Sequence, residues 1–261
     1  MTKLLTLDLS LGFHASDNII RLASVFAALS RCREDLKNYY DGVGNLDPPR
    51  LSCLYPNLTP IDPSKALPKL TYQQFLSRAG QPTSLVDLGN TTTAMYTATL
   101  GDINQKVIVK FTVRYNDEAH RLLAESELAP RLHFCEHVVG DLYMVVMDRV
   151  DGKSIWQLQE DKMPVPEIVA RSVTHAIELL HDNNIVFGDL RDHNILYDAS
   201  KGRVVLVDFN WSKKDGESRY PAMLNPSNAW AEDVSSYGIM HKAHDLWQLE
   251  RLIALCHNFD A

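Results

Sequence analysis

The order of hydrophobic and polar positions divides the chain into a helical start, a strand-rich middle and a mixed second half. From about residue 17 to residue 40, apolar side chains recur at helical spacing, which predicts a helix. Its apolar stripe consists of Ile20, Ala23, Phe26, Ala27 and Leu29. Prolines scattered from Pro48 to Pro68 then discourage regular structure. We therefore expect residues 1–70 to be an N-terminal helical extension with a Pro-rich tether.

After this tether, the pattern favours strands and then mixes strands with long helices. The predicted strands are 84–88, 94–100, 106–113, 141–149, 195–197 and 204–207. The predicted helices are 117–127, 166–183 and 241–256. A strand-rich part followed by a helix-rich part indicates an α+β protein with two lobes. We expect the first lobe to cover residues 71–150 and the second to cover residues 151–261.

Composition and charge narrow the classes of function. The net charge of -7 argues against a nucleic-acid partner, because neutralising phosphates requires a basic face. No apolar run approaches the roughly 20 residues that a membrane-crossing helix needs, and Asp8 interrupts the apolar start of the chain. The four cysteines show no metal-binding spacing. These features predict no membrane partner and a cytoplasmic or nuclear protein.

The segment from Phe187 to Leu196 carries the strongest chemical signal. Asp189 and Asn194 follow the long predicted helix, and Asp208 ends the apolar strand that comes after the next hairpin. Asp and Asn are common in polar turns, so each residue alone would indicate only a turn. Together, their spacing resembles the catalytic and metal-binding loops of the protein-kinase-like superfamily.

The resemblance implies a fold, cofactors and roles. The fold would be a two-lobed protein-kinase-like one, with a small β-rich N-lobe and a truncated helical C-lobe. The cofactors would be ATP and Mg²⁺, with Asn194 and Asp208 as metal ligands. Asp189 would accept the proton of the acceptor hydroxyl. Arg191 would place a positive charge on the transferred γ-phosphate.

The upstream half of the chain offers candidates for nucleotide binding. Val107-Ile108-Val109-Lys110 resembles the strand whose lysine holds the α- and β-phosphates, although an edge-strand lysine is the alternative. Glu118 is placed like the helix glutamate that pairs with this lysine, with Glu125 as a fallback. The alternative for Glu118 is an acid in the first turn of the helix, which the helix dipole favours.

Three further segments match the superfamily less closely. Leu88, Gly89 and Thr91 stand where a glycine-rich loop would cover the phosphates, with only one glycine matching. By the resemblance, Met147 would be the gatekeeper at the hinge, and the backbone from Asp148 to Val150 would meet adenine. A plain buried strand with an exit turn explains that segment equally well. Near the end of the chain, Asp245 would brace the catalytic loop, or simply be an acid near the start of a helix.

Departures from the pattern leave three functions open. Gly188 stands where protein kinases have Arg, and Gly-Asp resembles aminoglycoside phosphotransferases and choline kinases. Asn210 replaces the glycine of Asp-Phe-Gly. The first hypothesis is a divergent Ser/Thr protein kinase that acts on a protein hydroxyl. The others are a phosphotransferase for a small-molecule acceptor and a pseudokinase that only binds partners. The partner of the N-terminal helix is unknown.

Overall fold

The computed structural model describes most of the chain from residue 16 onward. The described ranges are 16–42, 55–56, 58–62, 64–77, 80–83, 94–101, 104–138, 140–226 and 228–257. The chain separates into two compact units, residues 1–58 and 59–261. In the first unit, helix α1 (Ser16–Gly42) forms where the 3.6-residue pattern predicted it. Its Ile20, Phe26 and Leu29 side chains are exposed.

The second unit begins with a six-stranded antiparallel sheet. Its strands are β1 (Leu70–Leu76), β2 (Pro82–Thr83), β3 (Ala94–Leu100), β4 (Gln105–Thr112), β5 (Leu132–Val138) and β6 (Leu142–Asp148). The spatial order is β2-β1-β3-β4-β6-β5. The sequence predicted β3, β4 and β6. It did not predict β1, β2 or β5, and the predicted strand at residues 84–88 lies outside the described residues.

The segment that precedes β1 lies along the opposite edge of this sheet. Pro60 forms an isolated antiparallel bridge with Val138 at the end of β5. Lys65 forms an ion pair with Glu136 on the same strand, with 2.5 Å between Nζ and Oε1. Residues from Thr59 onward therefore belong to the second compact unit, whereas the proline pattern had placed them in the tether.

Among the described residues of the second unit, four α-helices follow the start of the sheet. They are α2 (Asp117–Glu125), α3 (Ile155–Glu160), α4 (Ile168–Asp182) and α5 (Lys242–His257). Asn116 caps α2, because its side-chain oxygen accepts a hydrogen bond from the Ala119 N–H at 3.0 Å. Helix α3 was not predicted. It starts with a reciprocal capping box between Ser154 and Gln157, a pattern that is readable in the sequence.

Short strands connect the helices around the loops that carry the predicted chemistry. They are β7 (Lys153–Ser154), β8 (Ile185–Val186), β9 (Ile195–Asp198), β10 (Arg203–Leu206) and β11 (Lys213–Lys214). One small sheet has the order β10-β9-β7, and β11 pairs with β8. A single turn of 3-10 helix, Asp192–Asn194, leads into β9.

One buried hydrophobic cluster joins the sheet to the helices. It includes Leu123 of α2, Val145 of β6, Ile177 of α4 and Phe209 after β10. Apolar burial is the main favourable term in folding, so this shared core fixes how the loops between these elements face one another. The fold class is α+β, as the sequence predicted. Within the described ranges, no helix combines the length and apolar character needed to cross a bilayer.

Candidate active site

The loop between β8 and the 3-10 turn is shaped by a glycine. Gly188 has φ of +81°, a backbone region that side chains disfavour. A Cβ atom at this position would lie 2.2 Å from Cε of Met240 and 3.3 Å from the carbonyl oxygen of Trp211. The Met240 Cε atom ends a flexible side chain that can move aside, so the positive φ is what favours glycine before Asp189.

Helix α5 holds this loop from beneath. The Asp245 side chain is fully buried, and its Oδ2 and Oδ1 accept hydrogen bonds from the Phe187 N–H at 2.7 Å and the Gly188 N–H at 2.8 Å. Gln248, three residues later on α5, accepts from the Leu190 N–H at 3.0 Å. The bracing contact proposed for Asp245 is thus present in the structure. The sequence analysis had not identified Gln248.

Asp189 lies at the centre of a small polar cluster. Nδ2 of Asn194 donates to the Asp189 carbonyl oxygen at 2.8 Å and to its Oδ2 at 3.0 Å. Nη2 of Arg191 donates to the same Oδ2 at 2.7 Å. Arg191 Nε lies 2.6 Å from Oδ1, but the angle does not suit a hydrogen bond. Oδ1 is therefore a buried acceptor without a hydrogen bond from any described residue.

The environment of Asp189 makes its carboxylate more basic than usual. Burial raises the pKa of Asp189, and the negative charge of Asp208 adds to this increase. The charge and hydrogen bonds of Arg191 and Asn194 act in the opposite direction and only partly offset burial. A buried carboxylate with a raised pKa is a stronger base than an exposed one, which suits it to accept a proton.

Asp208 follows β10 and faces the same region from the other side. Its φ is +70°, an uncommon conformation for a residue with a side chain and one that is often found at functional sites. Nζ of Lys110 donates to Asp208 Oδ1 at 2.7 Å, which joins β4 of the sheet to the loop after β10. Burial alone would raise the pKa of Asp208, but the charge and hydrogen bond of Lys110 outweigh it, so the pKa is lowered.

The residue after Asp208 anchors the loop in the hydrophobic core. The Phe209 ring is fully buried, stacks on the His120 ring at 4.6 Å and meets the Phe187 ring edge-on at 5.6 Å. The Asn116 N–H donates to the Phe209 carbonyl oxygen at 3.1 Å, and its Nδ2 donates to the Ser212 carbonyl oxygen at 3.0 Å. The start of α2 is thereby fixed to the Asp208 loop.

The predicted partner of Lys110 is not where the sequence analysis placed it. Glu118 is exposed in the first turn of α2, and no contact joins it to Lys110 within the described part of the chain. The buried face of α2 instead carries Ala119, His120 and Leu123, because Glu118 lies outside the arc that these residues define. Glu125, the fallback, is also exposed, at the end of α2.

A tyrosine and a histidine occupy the space next to Lys110. Lys110 Nζ lies 5.8 Å from the centroid of the Tyr115 ring, within the range of a cation–π contact. Tyr115 Oη and His120 Nδ1 are 2.7 Å apart, and His120 Nε2 lies 2.7 Å from the Pro130 carbonyl oxygen. Burial lowers the pKa of His120 to about 4, so this histidine is neutral at physiological pH.

The hinge residues lie at the end of β6. Met147 is buried and pairs with Ile108 of β4 and Leu132 of β5. The Asp148 N–H donates to the Arg131 carbonyl oxygen at 2.9 Å, so this N–H is already engaged. The Asp148 side chain accepts from Gln105 Nε2 at 2.5 Å. Val150 is half-buried just beyond the strand.

The remaining nucleotide-binding candidates are not described. Leu88, Gly89 and Thr91 lie outside the described residues, so the predicted glycine-rich loop stays a prediction. The structure brings Lys110, Asp189, Arg191, Asn194 and Asp208 together. It leaves Glu118 out of this group.

Several supporting residues escaped the sequence analysis. Asn116 precedes α2, where a capping residue is expected, but no local pattern links it to the Asp208 loop. His120 and Gln248 had no motif. Helical spacing was the only available signal for Gln248, because Asp245 and Gln248 are three residues apart on one face of α5.

The arrangement combines charges suited to a phosphate ester and a base for a hydroxyl. Lys110 supplies a buried cation, Asp208 and Asn194 supply oxygen atoms, and Asp189 supplies a carboxylate. Positioning and charge neutralisation are what phosphoryl transfer requires from a protein. The described residues contain no cluster of three or more His, Cys, Asp or Glu side chains that would suit a transition metal.

Comparison with known proteins agrees with this chemistry. The model of the protein kinase domain matches residues 89–254, which is more than half of the chain. Serine/threonine-protein kinase SCH9 of Saccharomyces cerevisiae is 34% identical over 173 residues, 58% of this chain and 19% of that protein. The cAMP-dependent protein kinase catalytic subunit of Schizosaccharomyces pombe is 32% identical over 117 residues, 43% of this chain and 22% of that protein.

A human relative and a solved structure extend the comparison. Human serine/threonine-protein kinase Sgk1 is 35% identical over 124 residues, 43% of this chain and 28% of that protein. The structure of the Cydia pomonella granulovirus kinase PK-1 superposes with a TM-score of 0.53 and 17% identity, covering 72% of this chain and 68% of that one. This likeness confirms the two-lobed kinase-like fold.

The matches differ in how much of each protein they cover. The chain spans between about a fifth and three-tenths of the length of these curated relatives. The family match, in contrast, covers β3 to α5, with Lys110, Asp189, Asn194 and Asp208 in the order that the resemblance required. This chain belongs to the protein kinase domain family.

Proposed function

We propose that this protein is an ATP- and Mg²⁺-dependent phosphotransferase, most simply a divergent Ser/Thr protein kinase that moves the γ-phosphoryl group to a hydroxyl. The observation that carries the proposal is the ion pair between Lys110 and Asp208, beside the Asp189–Asn194 hydrogen bonds. The fold brings a buried lysine of the sheet next to Asp189, Asn194 and Asp208, which lie in loops of the helical part. An ion pair between two surface residues would not require this arrangement.

The sheet side would bind the nucleotide. Lys110 is 3% exposed and its ammonium group is suited to hold the α- and β-phosphates. Met147 would close the back of the adenine site, and the Asp148 carbonyl and the Val150 backbone would meet the adenine edge. Leu88, Gly89 and Thr91 would cover the phosphates. The Tyr115–His120 pair supports Lys110 in place of the helix glutamate that the resemblance had suggested.

The residues present fit a magnesium ion. Both hydrogen bonds from Asn194 Nδ2 go to Asp189, which leaves the amide oxygen as the remaining polar atom of that side chain. The lowered pKa of Asp208 keeps its carboxylate ionised. Carboxylate and amide oxygens are the ligands that Mg²⁺ prefers, so Asn194 and Asp208 would hold it. Bound Mg²⁺ supplies charge neutralisation of the phosphate oxygens.

Asp189 would orient the acceptor hydroxyl and take its proton. Its Oδ1 accepts no hydrogen bond from a described residue, and an acceptor hydroxyl would replace the close contact of Oδ1 with Arg191 Nε at 2.6 Å. Arg191 pairs with Oδ2 and holds the carboxylate in place. The predicted role of Arg191 on the γ-phosphate would require the guanidinium to divide its donors between Asp189 and the phosphate. Its five N–H donors permit this.

The relatives support a protein acceptor. SCH9 and Sgk1 are serine/threonine-protein kinases, so we propose a protein hydroxyl. A small-molecule hydroxyl is the alternative, because Gly188-Asp189 matches the Gly-Asp pair of the small-molecule relatives. In this proposal the catalytic region comprises the lobes at about 71–150 and 151–261, and residues 1–58 are an extension. The protein would act in the cytoplasm or nucleus.

The deciding experiment is thermal unfolding with and without ATP and Mg²⁺, on wild type and on Asp208→Ala. A ligand that binds only the native state stabilises it by about 2.7 kcal/mol at a hundredfold excess over its Kd. We expect a Mg²⁺-dependent rise in Tm that Asp208→Ala loses. Asp182→Ala, an exposed aspartate at the end of α4, is the matched control and should keep the rise. No rise in wild type at millimolar nucleotide would favour the pseudokinase hypothesis.

A further inference from the structure

Helix α1 (Ser16–Gly42) exposes large apolar side chains over most of its length. Ile20, Phe26, Leu29 and Leu36 are each half exposed or more. An isolated helix is only marginally stable in water, because most helical stability in proteins comes from burying one apolar face. A continuous apolar surface on a folded protein marks a contact site more often than a solvated one. Helix α1 therefore has a surface that a partner would cover.

The apolar residues of α1 follow a seven-residue repeat. Leucines occupy position a of three successive heptads, and the residues three places later occupy position d. The a positions are Leu22, Leu29 and Leu36, and the d positions are Val25, Cys32 and Tyr39. Apolar residues at a and d over successive heptads are the pattern of a coiled-coil seam, in which one helix packs against another.

The second half of α1 shows how narrow this seam is. Between Ser30 and Asn38, the only apolar residues are Cys32 and Leu36. All the other residues of this stretch are polar or charged, and all are exposed. A helix that packs on a globular core usually has a wider apolar stripe, with position e or g added to a and d, whereas a coiled-coil seam needs only a and d. The narrow stripe favours a second helix as the partner.

The two halves of α1 differ in polarity, and this difference favours a parallel alignment of two copies. Residues 19–29 are almost wholly apolar, whereas the charged residues are concentrated in residues 31–37. A parallel pair places the apolar halves together, while an antiparallel pair would place each apolar half against a charged half. Arg33 at position e and Asp35 at position g have opposite signs, and in a parallel pair neither faces a like charge.

The size of this contact suits a stable pair of chains. Helix α1 has 27 residues, so it is about 40 Å long, with a diameter of about 10–12 Å. A contact through positions a, d, e and g covers roughly half of the circumference, which gives roughly 700 Å² on each helix. Standard protein–protein interfaces bury about 800 Å² on each partner. One pair of α1 helices therefore comes close to the area that a specific dimer needs.

We propose that α1 forms a parallel coiled coil with α1 of a second copy of this chain, so that the protein is a homodimer. Residues at position d of two parallel helices face each other across the seam. The thiol of Cys32, which is free and exposed in the single chain, would then lie next to the Cys32 thiol of the second copy. This inference does not depend on the proposed function, because α1 lies in the first compact unit and the family match begins at residue 89.

The first test is analytical ultracentrifugation of the full chain under reducing conditions. We expect a concentration-dependent mass that reaches twice that of the monomer in the micromolar range. Leu29→Ala and Leu36→Ala should weaken the association at least about thirtyfold for each leucine removed, as large-to-small changes in a packed core do. Alanine is the best helix former, so these variants remove the seam and keep the helix.

The matched control changes the residue that follows each of these leucines. Ser30→Ala and Lys37→Ala alter exposed side chains of the same helix at position b, and the dimer should persist. A wild-type protein that stays monomeric at high micromolar concentration would overturn the proposal, whatever else covers α1. Leucine variants that dimerise as tightly as wild type would also overturn it, because another surface would then hold the copies together.

The second test is cross-linking of the reduced protein with a short bis-maleimide, which examines the alignment. We expect a covalent dimer from wild type and its loss in Cys32→Ser, while Cys32→Ser still sediments as a dimer. A dimer by ultracentrifugation whose Cys32 thiols do not cross-link would contradict the parallel alignment. Cross-linking that persists in Cys32→Ser would place the contact at another cysteine and overturn the proposal.

Discussion

The catalytic loop and the lysine that faces it are held in different ways. Around Asp189, the backbone N–H groups of Phe187, Gly188 and Leu190 each donate to a side chain of α5. Lys110 instead depends on Asp208, a single ion pair across the two lobes, and on the aromatic contact with Tyr115. The loop is fixed by many buried bonds within one lobe, whereas the lysine is fixed by one bond between lobes.

This difference shows which part of the site tolerates change. Buried polar groups that lose their partners are costly, so the loop around Asp189 should be structurally rigid. The position of the Lys110 side chain, in contrast, depends on how the sheet, α2 and the Asp208 loop pack against one another. Substitutions in the loop should therefore affect transfer or stability strongly, and substitutions around Lys110 should mainly affect nucleotide binding.

The largest expected effect is that of Asp189→Asn. Losing the general base should lower kcat by about 10²–10⁴-fold, while the affinity for nucleotide stays close to that of wild type. Single-turnover transfer and nucleotide titration measure the two quantities separately. A wild-type rate for Asp189→Asn would show that Asp189 is not the base.

Low pH should destabilise the folded protein, because His120 on α2 is buried in its neutral form. Its pKa is about 4 in the folded protein, against 6.5 in the unfolded chain, so the unfolded chain binds this proton more tightly. Stability is therefore intact above pH 6.5 and falls as the pH drops toward about 4, by up to about 3 kcal/mol. Urea unfolding across this range measures the loss.

Two variants test this assignment to His120. His120→Phe keeps an aromatic ring against Phe209 and should flatten the dependence on pH between 6.5 and 4. His175→Gln, which changes an exposed histidine of α4, should leave the dependence as it is. A slope that persists in His120→Phe would mean that other groups cause it.

Lys110→Met should weaken nucleotide binding. Removing a buried cation from the phosphates should raise the KM for ATP about tenfold, the low end for a hydrogen bond to a charged group. Steady-state kinetics with varied ATP measures this effect. Lys106→Met, which removes a lysine that is exposed on the same strand, is the control. Unchanged kinetics for Lys110→Met would make Lys110 an ordinary strand lysine.

Asp245→Asn should destabilise the loop without directly changing the chemistry. One of the two oxygens that accept from Phe187 and Gly188 would become an amide donor, which should cost about 1–3 kcal/mol. In a protein of this size, each kcal/mol lowers Tm by about 2–4 °C. Calorimetry of Asp245→Asn and Asp182→Asn compares a buried aspartate with an exposed one. Equal Tm values would show that Asp245 does not brace the loop.

The smallest effect is expected for Glu118→Gln. Glu118 is exposed and does not contact Lys110, so stability should change by less than about 0.5 kcal/mol, and the KM for ATP should stay the same. A large rise in KM would show that α2 turns to bring Glu118 to Lys110 when nucleotide binds. That result would restore the glutamate role that the resemblance suggested.

Local patterns predicted much of the fold. Strand β3 has the predicted bounds, and β4, β6, α2, α4 and α5 lie within two residues of theirs. The pattern missed β5, because Leu132–Val138 mixes apolar and polar side chains on a strand that is half-buried along most of its length. It also missed β8 and β11, two-residue strands that carry no periodic signal.

Local patterns likewise predicted one part of the candidate site and missed another. The spacing of Asp189, Asn194 and Asp208 could be read directly, because the loop, hairpin and strand that separate them are continuous in sequence. The pairing of Lys110 with Asp208 joins residues 98 positions apart. The expected pairing with Glu118 depended on the rotation of α2, which its buried residues decide.

The sequence by itself determined the longer helices, several of the strands, the α+β class and the identity of the central polar residues, because these depend on side-chain periodicity and short spacings. Only the tertiary structure decided which partners those residues have. Packing turned His120 inward against Phe209 and left Glu118 outside, and it placed Asp245 and Gln248 beneath the loop. These choices follow from burial in a shared core, a property of the whole chain that no local pattern contains.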